Sequence, residues 1–108
     1  MKTAVVGCGI AGMGAALALA RDGHAVTLFE RSPQPKSVGA GLLLQPSGLE
    51  ALQALGLRDI VESGGSKITR LEGKTVQGRT VLDLRYDRWS ADAYGLGVRR
   101  AALFDALF

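Results

Sequence analysis

Three glycines and one glutamate carry the strongest chemical signal in this sequence. Residues 7 to 12 read Gly-Cys-Gly-Ile-Ala-Gly, a G-x-G-x-x-G string followed by the small residue Ala16, and Glu30 lies 18 positions beyond Gly12. Those residue types at that spacing suit a dinucleotide. Gly7 permits a tight turn out of a strand, Gly9 lets the backbone approach a pyrophosphate, and Gly12 lets a helix pack closely on the strand. The pyrophosphate would rest on the helix N-terminus, where unpaired N–H groups and the positive end of the helix dipole face it. Glu30 stands near the spacing of about 20 residues at which an acid bonds the ribose hydroxyls. Its charge would repel a 2′-phosphate, so NADP is disfavoured at this site.

The string means little without the elements that position it. "KTAVVG" is a short apolar run of the kind buried on both faces of a parallel sheet. Ala11 to Asp22 is rich in Ala and Leu and stops at Gly23, as a capped helix does. "HAVTLFE" then predicts a second strand ending at Glu30. A plain βαβ unit with a tight turn would use the first and third glycines but leaves Gly9 and Glu30 without a task. A secretory signal is not expected, because Gly7, Gly9, Gly12 and Gly14 interrupt the apolar core it needs.

Further along, "RSPQPKSVGAG" predicts an irregular loop, and "PSGLEALQALGL" an amphipathic helix with Leu49, Leu52 and Leu55 on one face and Gly56 as its cap. "RDIVESGG" predicts a short helical turn. From Lys67 the pattern alternates around Gly73 and Gly78, which predicts two or three antiparallel strands with one wet face. Tyr86, Trp89 and Tyr94 fall in a connector, as packing residues. "RRAALFDALF" predicts a terminal helix with Leu103 and Leu107 at i, i+4. The expected organisation is a βαβ unit with loop and helices over 1–65, antiparallel strands over 66–95 and a terminal helix over 96–108. The fold class is α/β, a partial Rossmann-like unit with an incomplete doubly wound sheet.

Charge and composition narrow the function. The net charge of +3 comes from scattered basic residues, and only 6% of the 108 residues are aromatic, so the chain lacks the clustered basic and aromatic footprint of a nucleic-acid binder. No apolar run is long enough to span a membrane. Cys8 is the single cysteine, which excludes a disulfide within the chain and fits a reduced, cytoplasmic setting. The one histidine, His24, sits in a turn with no metal-ligand spacing around it.

Taken together, "GCGIAG", "TLFERSP", "GAGLLLQPSGLEALQALGL" and "VRRAALFDAL" make the chain resemble the N-terminal part of the single-component FAD-dependent aromatic hydroxylases, of the para-hydroxybenzoate and salicylate hydroxylase type. The resemblance implies FAD as cofactor, with Gly7, Gly9, Ala11 and Gly12 at the pyrophosphate and Glu30 on the adenosine ribose. It implies Arg31 near the adenosine end and Arg100, with Leu103 and Leu107 in register, at the phosphate or ribitol. A guanidinium suits an anion because its fork of donors matches phosphate oxygens. Where some members carry an arginine beside the Ala-Gly of the loop, this chain has Gly39 before Ala40-Gly41, with Lys36 the nearby cation. NAD(P)H and a small aromatic substrate are the further partners the resemblance implies.

Members of that family are several times longer, and no catalytic residue is assigned within these 108 positions. The chain is therefore expected to be a fragment of a longer enzyme, inactive by itself, or a truncated module whose apolar surface is covered in a homodimer. Another FAD oxidoreductase sharing this segment, reductase-like or halogenase-like, is the remaining enzymatic alternative.

Overall fold

In the computed structural model, which describes residues 1–34 and 40–108, the glycine string lies where a strand gives way to a helix. Strand β1 (Lys2–Val6) leads through Gly7 and Cys8 into helix α1 (Ile10–Arg21), and strand β2 (Ala25–Phe29) returns parallel to β1, with Val5 opposite Leu28 and Val6 opposite Phe29. Ala and Leu dominate α1, and Gly23 follows its last turn in the left-handed conformation, as expected of a C-terminal cap. Thr3 and Val5 are half-buried, whereas Lys2, Ala4 and Val6 are exposed. The expectation that β1 is buried on both faces is thus corrected: Val6 is 84% exposed and Phe29 52%. A two-stranded sheet with a single crossover helix has only one face covered.

The rest of the chain forms a second sheet, three helices and a hairpin. Strand β3 (Gly41–Leu44), helix α2 (Pro46–Ala54), helix α3 (Arg58–Ser63), strand β4 (Ser66–Ile68), strand β5 (Arg70–Lys74) and strand β6 (Thr80–Arg85) follow in order. A single 3-10 turn (Tyr86–Arg88), strand β7 (Gly95–Arg99) and helix α4 (Arg100–Leu107) complete the chain. The second sheet has the order β3-β7-β4, antiparallel throughout, and β5 and β6 pair only with each other, with an irregularity between Gly73 and Lys74.

Two local expectations change here. The segment from 96 opens as strand, and the terminal helix begins at Arg100. The "GLLL" after the loop is a strand as well, and it is to β7 that both β3 and the short β4 attach.

Packing converges on the central strand of that sheet. Leu96 and Val98 of β7 meet Leu49 and Leu52 of α2, Val61 of α3, Leu103, Phe104 and Leu107 of α4, Met13 of α1 and Cys8 of the glycine turn in one apolar cluster. No charged side chain is buried among the described residues. Tyr86 is fully buried, and its hydroxyl donates to Gln45 Oε1 at 2.9 Å, fixing the residue that precedes α2. Arg58, on α3, donates from Nε to Glu62 Oε1 at 3.0 Å and from Nη2 to the Tyr94 hydroxyl at 3.1 Å. Tyr94 in turn donates to Glu62, and the Lys67 ammonium lies 4.6 Å from its ring centre. This cluster clamps the segment that enters β7.

Candidate functional site

The glycine turn is built by the ends of three elements. Gly7 leaves β1 with φ +104°, a region that side-chain-bearing residues avoid, and its N–H donates to the Phe29 carbonyl at the end of β2, 2.7 Å away. Gly12, in the first turn of α1, sits directly over that turn. A Cβ added there would lie 1.9 Å from the Gly7 carbonyl oxygen, so helix and strand approach this closely only because position 12 has no side chain.

Gly9 is the residue before α1, with extended backbone, and a Cβ built on it meets, among the described residues beyond its chain neighbours, no atom within 4 Å. The space in front of Gly9 is therefore open. No side chain caps α1 and no acid stands in its first turn, so the N–H groups there, Ala11's among them, present the positive end of the helix dipole to that space.

Glu30 closes the site from the β2 side. Its Oε2 accepts the Cys8 N–H at 2.6 Å and its Oε1 the Ser32 N–H at 3.0 Å. Donation from the Ser32 amide first, then from Cys8, holds the carboxyl below the usual glutamate range against an opposing desolvation, with the Arg31 amide and charge adding less. Glu30 is thus an anion at neutral pH on an exposed rim, with its neighbour Arg31 also exposed. An open approach to a helix N-terminus flanked by an ionised acid is the donor and acceptor set that a pyrophosphate and an adjoining ribose diol require.

Of the residues singled out by sequence, the structure brings Gly7, Gly9, Ala11, Gly12 and Glu30 together. Arg100 starts α4: its N–H donates to the Ala40 carbonyl at 3.1 Å, which pins the returning end of the loop to the start of the helix, and the residue is exposed. Lys36 lies outside the described residues. Sequence reasoning missed the Cys8 backbone amide as a partner of Glu30, and the only signal for it was its place between Gly7 and Gly9. A separate open cavity of about 440 Å3, lined by Pro46, Leu49, Arg58, Trp89, Asp92 and Tyr94 among others, includes no residue of the glycine turn and stands apart from this site.

Comparison with known proteins bears directly on this geometry. The model of the family described as FAD dependent oxidoreductase matches residues 2–102. The chain belongs to that family. FAD is accordingly the cofactor of this family, and the open Gly9 face, the uncapped helix end and the ionised Glu30 have the chemistry to fit such a dinucleotide.

Among curated relatives, the chain is 39% identical over 75 residues, 69% of its own length and 19% of the relative's, to 3-amino-4-hydroxybenzoate 2-monooxygenase of Streptomyces cremeus. It is 37% identical over 67 residues, 62% of its length and 17% of the relative's, to 3-hydroxybenzoate 6-hydroxylase 1 of Aquipseudomonas alcaligenes. Among solved structures, the tetrameric form of 2-methyl-3-hydroxypyridine-5-carboxylic acid oxygenase superposes with a TM-score of 0.83 at 31% identity, over 98% of this chain and 27% of that one. Klebsiella pneumoniae HpxO complexed with FAD and uric acid gives 0.77 at 25% identity, over 99% and 28%. The chain spans about a fifth of the length of the curated relatives it matches. Among the described residues no helix is long and apolar enough to cross a membrane.

Proposed function

We propose that this chain is the FAD-binding segment of a flavin-dependent monooxygenase that hydroxylates a small aromatic ring with NAD(P)H and O2. The observation that carries the proposal is the convergence of the open Gly9 face with the Glu30 carboxylate at one helix end, on a chain whose relatives include hydroxylases of substituted benzoates. When bound, FAD supplies the redox chemistry by which electrons from a nicotinamide are used to place one oxygen atom of O2 on the ring.

The residues of this chain supply binding and orientation. Gly7 and Gly12 shape the turn, Gly9 gives the pyrophosphate close access, and the amides at Ala11 and its neighbours donate to it. Glu30 accepts from the adenosine ribose hydroxyls, and Arg31 stands at the adenosine end. Arg100, at the start of α4, is assigned to the phosphate or ribitol, and Lys36, which lies outside the described residues, is the second cation of the reading. The nicotinamide and aromatic substrates belong to the longer protein, in which this segment provides the cofactor grip. A cytoplasmic location and a homodimer are part of the same proposal.

The test is FAD titration followed by quenching of flavin fluorescence, with light scattering on the same sample. Saturable binding that falls at least tenfold in Gly9→Val, where a β-branched side chain fills the pyrophosphate's approach, and in Glu30→Ala is the expected result. Unchanged affinity in both variants would overturn the assignment of the site.

A further inference from the structure

Glu30 makes two hydrogen bonds that a purely ligand-binding carboxylate does not need. Its Oε2 takes the Cys8 N–H at 2.6 Å and its Oε1 the Ser32 N–H at 3.0 Å, one donor from the glycine turn and one from the chain just beyond β2. The preceding pair of residues is joined too, Gly7 N–H to the Phe29 carbonyl at 2.7 Å. Residues 7 and 8 are thus tied in succession to residues 29 and 30, the first through backbone and the second through a side chain.

The two ties differ in what they depend on. The Gly7 bond continues the parallel ladder, which ends at Val6 opposite Phe29, and would persist with any residue at 30. The Cys8 bond exists only because an acceptor of glutamate length stands at position 30. Cys8 itself is buried, so its amide has no other direction in which to turn without moving the side chain out of the apolar cluster.

We propose that Glu30 is a positioning residue for the glycine turn: its carboxylate staples the Cys8 amide, so that the pyrophosphate approach at Gly9 is held open before nucleotide arrives. The proposal rests on Glu30 being the ribose acceptor and adds that binding is an exchange. The ribose hydroxyls donate to oxygens that already hold backbone N–H groups, and the turn enters that exchange in its bound shape instead of being ordered by the ligand.

A charged acceptor makes the staple sensitive to acid. Arg31 is the one charged side chain acting on Glu30 among the described residues, and the facing turn contributes an amide and no charge. Because the folded carboxyl is held below its ordinary value of 4.5, the staple is complete above that value and is lost as pH falls through the lower folded one.

The test is amide hydrogen exchange, resolved at Cys8 and at Gly7, on the nucleotide-free protein and on Glu30→Asp and Glu30→Gln. Aspartate keeps the charge but loses the reach; glutamine keeps the reach but replaces one acceptor oxygen with a donor. Exchange at Cys8 is expected to rise roughly tenfold in Glu30→Asp with Gly7 little changed, as for loss of one charge-assisted hydrogen bond. Wild-type protection at Cys8, taken relative to the unstructured rate at each pH, is expected to fall at acid pH, and that fall to be absent from Glu30→Gln. Equal Cys8 exchange in wild type and both variants would overturn the staple. FAD titration of the same variants separates the two roles: weakened FAD binding with unchanged Cys8 exchange leaves the ribose role standing and removes the staple, whereas raised Cys8 exchange with unchanged FAD affinity leaves the hydrogen bond but overturns both its positioning of the turn and the ribose role.

Discussion

The glycine turn and the β5–β6 hairpin are both short, glycine-containing reversals, and they are stabilised in opposite ways. The turn sits against the core: Cys8 is 5% exposed, and α1 packs onto α4 and puts Met13 into the shared apolar cluster. The hairpin holds itself. Arg70, Glu72, Lys74 and Asp83 share one face in a chain of ion pairs, Arg70 to Asp83 at 2.8 Å and to Glu72 at 3.2 Å, and Lys74 to Glu72 at 3.0 Å. Its other face carries Leu71 opposite Leu84 and Gly73 opposite Leu82, and within this chain Leu82 is half exposed.

A radius of gyration of 16.7 Å, against the ~13 Å expected of a compact domain of about 100 residues, reflects this division between a packed body and a projecting ribbon. The difference teaches where shape comes from. A ribbon can be specified by cross-strand pairs a few residues apart, whereas the glycine turn takes its shape from contacts with residues far away in the chain.

The contrast breaks most severely at Gly12. Gly12→Val places carbon where the Gly7 carbonyl already lies, 1.9 Å from an ideal Cβ, and the backbone of helix and strand must separate. A loss of at least about 3 kcal/mol in urea unfolding is expected, together with loss of FAD binding. Wild-type stability in that variant would show that the turn is as loosely held as the ribbon.

A matched pair of leucines sharpens the same comparison. Leu49 is 1% exposed in the body and Leu82 is 50% exposed on the ribbon. Truncation to alanine is expected to cost about 3 kcal/mol at position 49 and under about 0.5 kcal/mol at position 82, by denaturant midpoint at constant slope. A large cost at both sites would mean that the ribbon's apolar face is packed in solution.

The smallest expected effect concerns the clamp that enters β7. Donation from Tyr94, then from Arg58, holds the Glu62 carboxyl below its ordinary value of 4.5, so its contribution is present above that value and is lost as pH falls through the lower folded one. Tyr94→Phe removes the larger donor. The acid limb of its stability curve, read by thermal melts from pH 3 to 7, is expected to be shallower than that of the wild type. An unchanged acid limb would show that the clamp is as solvent-screened as the ribbon's ion pairs.

Much of the first third of the chain was legible in advance, and parts of the rest were not. The α1 boundaries, β2 ending just before Glu30, and the helix closed by Gly56 follow from local propensity and periodicity. Strand β7 was missed because Gly95 and Gly97 weaken its signal. Yet Gly95 is where a Cβ would meet the Tyr86 hydroxyl at 2.8 Å, so that glycine serves a packing requirement set by a residue nine positions away. Strand β3 was missed because a glycine and three leucines beside a proline-rich loop have no period to distinguish them.

The sequence alone determined the strand, glycine turn, helix and strand order, the class of ligand they suit, and the acid at residue 30, because each depends on residue types within one or two turns of chain. Tertiary structure alone decided that β7 joins β3 to β4, that Tyr86 packs under Gly95, and that the Glu30 carboxylate faces the Cys8 amide. Those outcomes depend on which surfaces meet across 9 to more than 50 positions of chain, a choice made by packing against a shared apolar core and not by any residue's own preference.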